Sequence, residues 1–279
     1  MDRRGFFFAA GGALAASVAL RPLVARAQSF VSDDAVYLDG IVDYFDTLSG
    51  SLEDAGGGLY QAQTEDRLLA EHNAFRAAHG LQPLVRDRAF DDAARAHAAD
   101  MMRRDYFEHA SPEGYTSEQR VALLARRFVG AAGENIAMQD GGEAPPTAAE
   151  LAKMWRNSPG HRANMLRASY THVGFGVVQR GGRTLAGAVF GQRFAELAAP
   201  APFHVGGGDA LAGLLEGATP RLTGYELQPV RGGRSLGPFG DQDAPGALTP
   251  GAYAIRPHAP DPATPNRYWI LFGPIVMAG

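Results

Sequence analysis

Two histidines and a glutamate stand out for where they sit. In the stretch from Trp155 to Leu166, Ser158 has the side chain of a helix N-cap. Pro159 falls at the first helical position, where its missing N–H costs nothing. His161 is thereby placed in the first turn of a new helix. The positive end of the dipole disfavours a cation there, so the imidazole tends to stay neutral, able to ligate a metal or donate a hydrogen bond. A plain structural cap is the alternative. His109 lies between Phe107 and Gly114, a stretch whose Ser111, Pro112 and Glu113 are turn chemistry, so it is held on a loop. Glu134 stands among small and apolar neighbours, and a carboxylate buried unpaired is costly, so it needs a metal, a histidine or backbone amides as partner. The chain has no cysteine, so a metal here would take only nitrogen and oxygen ligands.

These residues depend on the elements that hold them. Val36, Leu38, Ile41, Val42, Phe45, Leu48 and Leu52 recur at helical spacing over residues 31–55, ended by Gly56, Gly57 and Gly58. Thr64 is expected to cap the next helix, with Glu65 and Asp66 in its first turn and Gly80 at its stop. His72 and His79 on that helix are two turns, about 10 Å, apart, too far to share a metal. An alanine-rich helix over 88–104 turns Phe90, Ala94, Ala98, Met101 and Met102 inward, with His97 as a surface or boundary residue. A short helix is expected over 117–128, broken by the glycines at 130 and 133. Thr147 and Glu150 make a capping box for the helix that leads to Trp155. Residues 173–180 and 184–194 flank Gly181 and Gly182 as an antiparallel hairpin.

Taken in order, the stretches around His72–Arg76, Phe107–Gly114, Gly133–Ala137, Trp155–Leu166, His172–Val177 and Phe190–Phe194 resemble the CAP superfamily of sperm-coating, allergen-5 and pathogenesis-related-1 proteins, in its bacterial SCP-like form. The resemblance covers about residues 64–196. It implies an α+β fold, an α-β-α sandwich with a small antiparallel sheet between helices. It also implies that His109, Glu134 and His161 line one cleft with Ser111, Asn135, Ser158 and Asn164, and that His72, Asn73 and Arg76 are structural. The family cavity usually holds two histidines and two acids. The second acid's slot is Ser158 here.

Two imidazoles and a carboxylate with an open position make a recognised Zn²⁺ or other divalent-cation site, whose bound water would be acidified for hydrolysis. The expected function is nevertheless binding: an exported protein with a divalent-metal-capable cleft for a small hydrophobic, peptide or cell-wall ligand. The alternative is a metal-dependent hydrolase using His109 and His161, with Glu134 as acid/base. A serine hydrolase built on Ser111 lacks any nucleophile elbow.

The remaining sequence sets the context. A formal charge of −4 argues against nucleic-acid binding, which requires a basic face. Residues 1–27, with Arg3 and Arg4 before an apolar run and Ala25-Arg26-Ala27 at its end, are expected to be a twin-arginine type signal cleaved before Gln28. The run is too short for a permanent membrane anchor, so the expected location is periplasmic or secreted. Residues 28–63 make an N-terminal helix and linker, 64–196 the CAP-like domain, and 203–279 a glycine- and proline-rich β module. In that module Arg221–Leu227, Ala252–Arg256 and Tyr268–Phe272 are expected strands. Tyr253, Tyr268 and Trp269 are expected in its core rather than on a sugar- or peptide-binding platform.

Overall fold

The computed structural model describes Phe6, Phe7 and residues 33–141, 144–261, 263–264 and 267–279, with side chains from residue 40 onward. The expected leader therefore lies outside the described residues, apart from the two-residue strand β1 (Phe6–Phe7), which pairs with Met138 and Gln139. Helix α1 (Asp33–Asp54) ends in a 3-10 turn at Ala55–Gly57. Then come β2 (Leu59–Tyr60), α2 (Ala62–Ala77), β3 (Val85–Arg86), α3 (Arg88–Arg104), α4 (Ser117–Leu124) and β4 (Phe128–Gln139). Next are α5 (Ala148–Asn157), α6 (Pro159–Met165), β5 (His172–Arg180) and β6 (Arg183–Glu196). The first sheet runs β1-β4-β6-β5-β2, with β3 parallel to β5 and the other pairs antiparallel.

The sheet is covered on both faces, as period-two alternation along β5 requires. Val173, Phe175 and Val177 join Trp155, Leu151 and Leu68 in one core, under α2 and α5. On the other face α3 lies so close to the strand that a Cβ at Gly176 would sit 2.2 Å from the Arg95 amide nitrogen. Only glycine admits that approach. Helix α3 begins where Asp87 accepts from the Ala89 amide at 2.8 Å and ends at Asp105 in the left-handed region. The expected boundaries of that helix hold, and so does the Thr147–Glu150 capping box.

Two local expectations fail, each because a tertiary contact outweighs a local signal. Helix α2 starts at Ala62, not after a Thr64 cap. Glu65 is fully buried rather than facing the solvent end of the dipole. It accepts the Val177 amide at 3.0 Å and the Arg95 guanidinium, tying α2 to β5 and α3. The second failure is at the glycines after residue 128. The helix stops at Leu124, and β4 runs through Gly130 and Gly133 as one strand, with a register shift against β6 between Val129 and Gly130. A Cβ at Gly133 would lie 2.2 Å from the Tyr170 hydroxyl, so this glycine marks crowding inside a central strand, not a turn.

The second sheet contains β7 (His204–Val205), β8 (Gly224–Pro229), β9 (Leu236–Gly240), β10 (Gly251–Pro260), β11 (Tyr268–Ile270) and β12 (Ile275–Ala278). Its order is β7-β12-β10-β8-β9, with β11 also on β10. This module is welded to the first sheet. The backbones of Gly130 and Phe272 exchange hydrogen bonds of 2.8 and 3.2 Å, and those of Glu196 and Thr219 exchange bonds of 2.9 and 3.0 Å. Arg126 donates to the carbonyls of Ala201, Pro202 and Ile275. Tyr253 is buried as expected, but Tyr268 and Trp269 are exposed, because β11 is a short strand at the edge of the sheet, paired with β10.

Candidate functional site

Glu134 sits near the middle of β4 with its side chain 1% exposed. A charge so placed persists only if its oxygens are bonded. Four interactions do this. His97 Nδ1 lies 2.9 Å from one oxygen and His109 Nδ1 lies 3.0 Å from the other. The buried Arg120 guanidinium reaches both through Nη2, at 3.0 and 3.1 Å. The same Nη2 donates to the His109 carbonyl at 2.7 Å, and Nη1 donates to the Tyr44 hydroxyl and the Tyr115 carbonyl. Tyr44 in turn stacks on Tyr115 with ring centroids 4.6 Å apart. Helix α1 thus supplies part of the support for the His109 loop.

Burial alone would raise the Glu134 pKa. The Arg120 charge, the neighbouring His97 and the two histidine bonds outweigh that and hold it well below the usual carboxylate range. His97 is driven the other way: burial and the Arg120 charge lower its pKa, against the pull of Glu134. It is therefore neutral at pH 7 and donates its Nδ1 proton to the carboxylate. His97 was expected at the surface; it is fully buried because residues 90, 94, 97 and 101 fall on one stripe of α3.

The second wall is α6. Asn135 Nδ2 donates to the His161 carbonyl at 3.0 Å. Asn164 Nδ2 donates to the Glu134 carbonyl at 3.1 Å and to Asn135 Oδ1 at 2.9 Å. These bonds hold the first turn of α6 against β4 and bring the His109 and His161 rings to 6.2 Å between centroids, tilted by 59°. The structure therefore gathers His109, Glu134, His161, Asn135 and Asn164. Ser158 occupies the N-cap position, but its buried hydroxyl makes no cap bond. Ser111 Oγ accepts the Tyr115 amide and closes a turn.

The expected three-ligand metal set does not form in this arrangement. Among the described residues no group of three histidine, aspartate or glutamate donors is placed to hold an ion. The physical reason is at Glu134, whose oxygens are already bonded to two imidazoles and a guanidinium. A cation on that carboxylate would be opposed by the Arg120 charge bonded to the same oxygens. The carboxylate fits as an outer partner that orients His109, not as a ligand.

His72, Asn73 and Arg76 have structural surroundings. The His72 ring is enclosed by Trp155, Phe175 and Phe190. Asn73 clamps both backbone groups of Leu84. Buried Arg76 donates to the carbonyls of Gln82, Met165, Arg167 and Tyr170, fastening α2 to the end of α6. Arg120 and Tyr44 carried no signal in the sequence, since each matters only through a fold-level meeting with Glu134.

Residues 69–193 match the Cysteine-rich secretory protein family, CAP. This chain carries a CAP domain. The uncharacterized protein YkwD of Bacillus subtilis is 38% identical over 117 residues, which are 42% of this chain and 43% of that protein. The uncharacterized membrane protein YlbC of the same organism is 37% identical over 119 residues, 42% of this chain and 32% of its own length. The chain thus spans less than half the length of either relative. Among solved structures, an extracellular SCP-domain protein of Bacillus anthracis aligns over 47% of this chain and 41% of its own, at 28% identity and a TM-score of 0.39. An outer surface protein of Borrelia burgdorferi aligns over 49% of this chain and 98% of its own, at 19% identity and a TM-score of 0.43. The family match lies within the first sheet and its helices; α1 and the whole second sheet fall outside it.

Proposed function

We propose that this is an exported binding protein whose CAP cleft captures a cell-envelope ligand without turning it over. The observation that carries the reading is the state of Glu134. A general acid must hold a proton near the working pH, and a general base must offer a lone pair to water or substrate. A carboxylate kept ionised by Arg120, with both oxygens bonded, is poorly suited to either task. It is well suited to fixing the His109 ring, whose side chain is 34% exposed, as a rigid polar contact at the cleft mouth. No helix among the described residues is long and apolar enough to cross a membrane, which is compatible with an exported chain.

A divalent cation, Zn²⁺ by the imidazole donors, would be held by His109 and His161, with Glu134 as the hydrogen-bond partner of His109. When bound, it would supply an electrophilic contact for an oxygen of the ligand. Metal analysis of the purified chain tests this part: His109→Ala and His161→Ala each lose the ion, and Glu134→Gln weakens it without abolishing it.

Binding is tested by co-sedimentation with isolated peptidoglycan and envelope fractions, run beside turnover assays on peptide, ester and peptidoglycan substrates. The expected result is retention by the envelope fraction with no turnover. Turnover by the wild type that vanishes in a folded Glu134→Gln variant would replace this reading with the hydrolase.

A further inference from the structure

The welded junction between the CAP domain and the second sheet leaves a cleft of about 410 Å³ on the surface. It is far from featureless. The CAP domain contributes Phe194 and Gln192 from β6 and Glu118 from the first turn of α4, and the module contributes Trp269, Arg256 and Phe272. Its volume falls within the roughly 300–1,000 Å³ of small-molecule sites.

Three features of this cleft bear on what it would hold. First, Trp269 is 50% exposed although it stands on a strand, and its ring leans on Phe194 with centroids 6.4 Å apart. Successive side chains of a strand point to opposite faces, so Tyr268, stacked on His258 at 4.3 Å, belongs to the other side. Trp269 thus brings a half-exposed indole to the lining of the cleft. Second, the polar groups around it are mixed. Glu118 accepts, the Gln192 amide both donates and accepts, and the Arg256 guanidinium donates, with its Nε fixed on the Leu271 carbonyl at 3.1 Å. The lining residues carry one carboxylate and one guanidinium, whose charges cancel. Third, the walls belong to two sheets joined by the Gly130–Phe272 backbone pair, so the spacing across the cleft is set before a ligand arrives.

We propose that this junction is a glycan-binding site, separate from the Glu134 cleft, with Trp269 as its stacking platform. A pyranose ring matches the three features together. Its C–H face covers an indole, and its hydroxyls donate and accept at the rim. It carries no charge that would leave Glu118 or Arg256 opposed. A lipid chain would bury those polar groups without partners, at a cost.

The chain provides its own reporter. It has two tryptophans, of which Trp155 is 0% exposed and Trp269 half exposed, so a fluorescence change on ligand addition reads the junction. The intact protein is titrated with tetrasaccharides of N-acetylglucosamine, glucose in β-1,4 and α-1,4 linkage, and mannose. At least one is expected to give a saturable blue shift, confirmed by calorimetry. Trp269→Ala is expected to weaken that binding by about tenfold or more, the loss of one aromatic contact. Glu118→Ala, on an exposed helix turn, is a second variant that leaves the aromatic face in place and also weakens binding. The titration is read at Trp269 and the metal analysis at His109 and His161, so failure of the cleft reading and failure of this one are distinguishable. No saturable change with any of the sugars at millimolar concentration overturns the proposal. So does sugar binding that survives in Trp269→Ala, or a shift produced by an unstructured peptide or detergent micelles but by no sugar.

Discussion

The Glu134 site and the Trp269 junction, the two places proposed above to meet ligands, arrange their polar groups in opposite ways. In the cleft, charge is buried and fully engaged: Arg120, His97 and His109 converge on one carboxylate, and only His109 reaches toward solvent. At the junction, the recognition groups are exposed or half-buried and an aromatic face replaces charge. The difference teaches that the polar groups of the first site also hold the fold together, whereas those of the second do not. Removing the buried charge of Arg120 is expected to cost stability, whereas the junction can be stripped while the fold stands.

The sharpest way to break this contrast is at Arg120. Arg120→Leu leaves Glu134 buried without its cation and is expected to cost about 3–5 kcal/mol. Urea unfolding at pH 7 measures the loss, and the double variant Arg120→Leu, Glu134→Gln should recover much of it. Acid should act next. Burial pushes the His72 pKa down to about 4, and His97 is lowered as well. As pH falls below about 6.5 the unfolded chain takes up these protons first, so stability drops between pH 6.5 and 4. His72 alone accounts for roughly 3 kcal/mol. Below about 4.5 the depressed Glu134 adds to the loss in the same direction. Thermal unfolding across that window checks the sign; a midpoint flat from pH 7 to 5 would refute it. Tyr44→Phe removes one hydrogen bond to Arg120 and is expected to cost about 1 kcal/mol. Trp269→Ala comes last, within about 0.5 kcal/mol of wild type on the same urea curves, because the ring is half in solvent.

Much of the CAP region was legible because its signals are local. The Thr147–Glu150 box, Pro159 opening α6 and the Gly181 turn each act within a few residues, and each marks an element where the structure has one. The α-β-α arrangement followed from the motif order. What stayed hidden depends on distant neighbours. Gly133 resembles a helix breaker until Tyr170 is seen against it. Glu65 resembles a dipole complement until Val177 and Arg95 claim it. The Glu134 site was legible as a meeting of residues 109, 134 and 161, but not as an ion-paired one. Nothing near Arg120 in sequence announces that its charge belongs to β4. His97 was the recoverable case, since the stripe it shares with Phe90, Ala94 and Met101 already faced inward.

One packing cluster has a consequence for how the chain is made. Ile41, Tyr44 and Leu48 of α1 share a core with Ala252 and Ala254 of β10 and Ile275 and Met277 of β12. The earliest described helix and the latest strand therefore shelter one another across the whole family-matched region. Such distant pairings form slowly, because the loop between them must close first. During synthesis α1 can pack early on Ala96 of α3 and on Ala122 and Leu123 of α4, but the part of its apolar side that faces β10 and β12 stays uncovered until they have been translated, so nascent chains stalled before residue 275 should be the ones that chaperones hold.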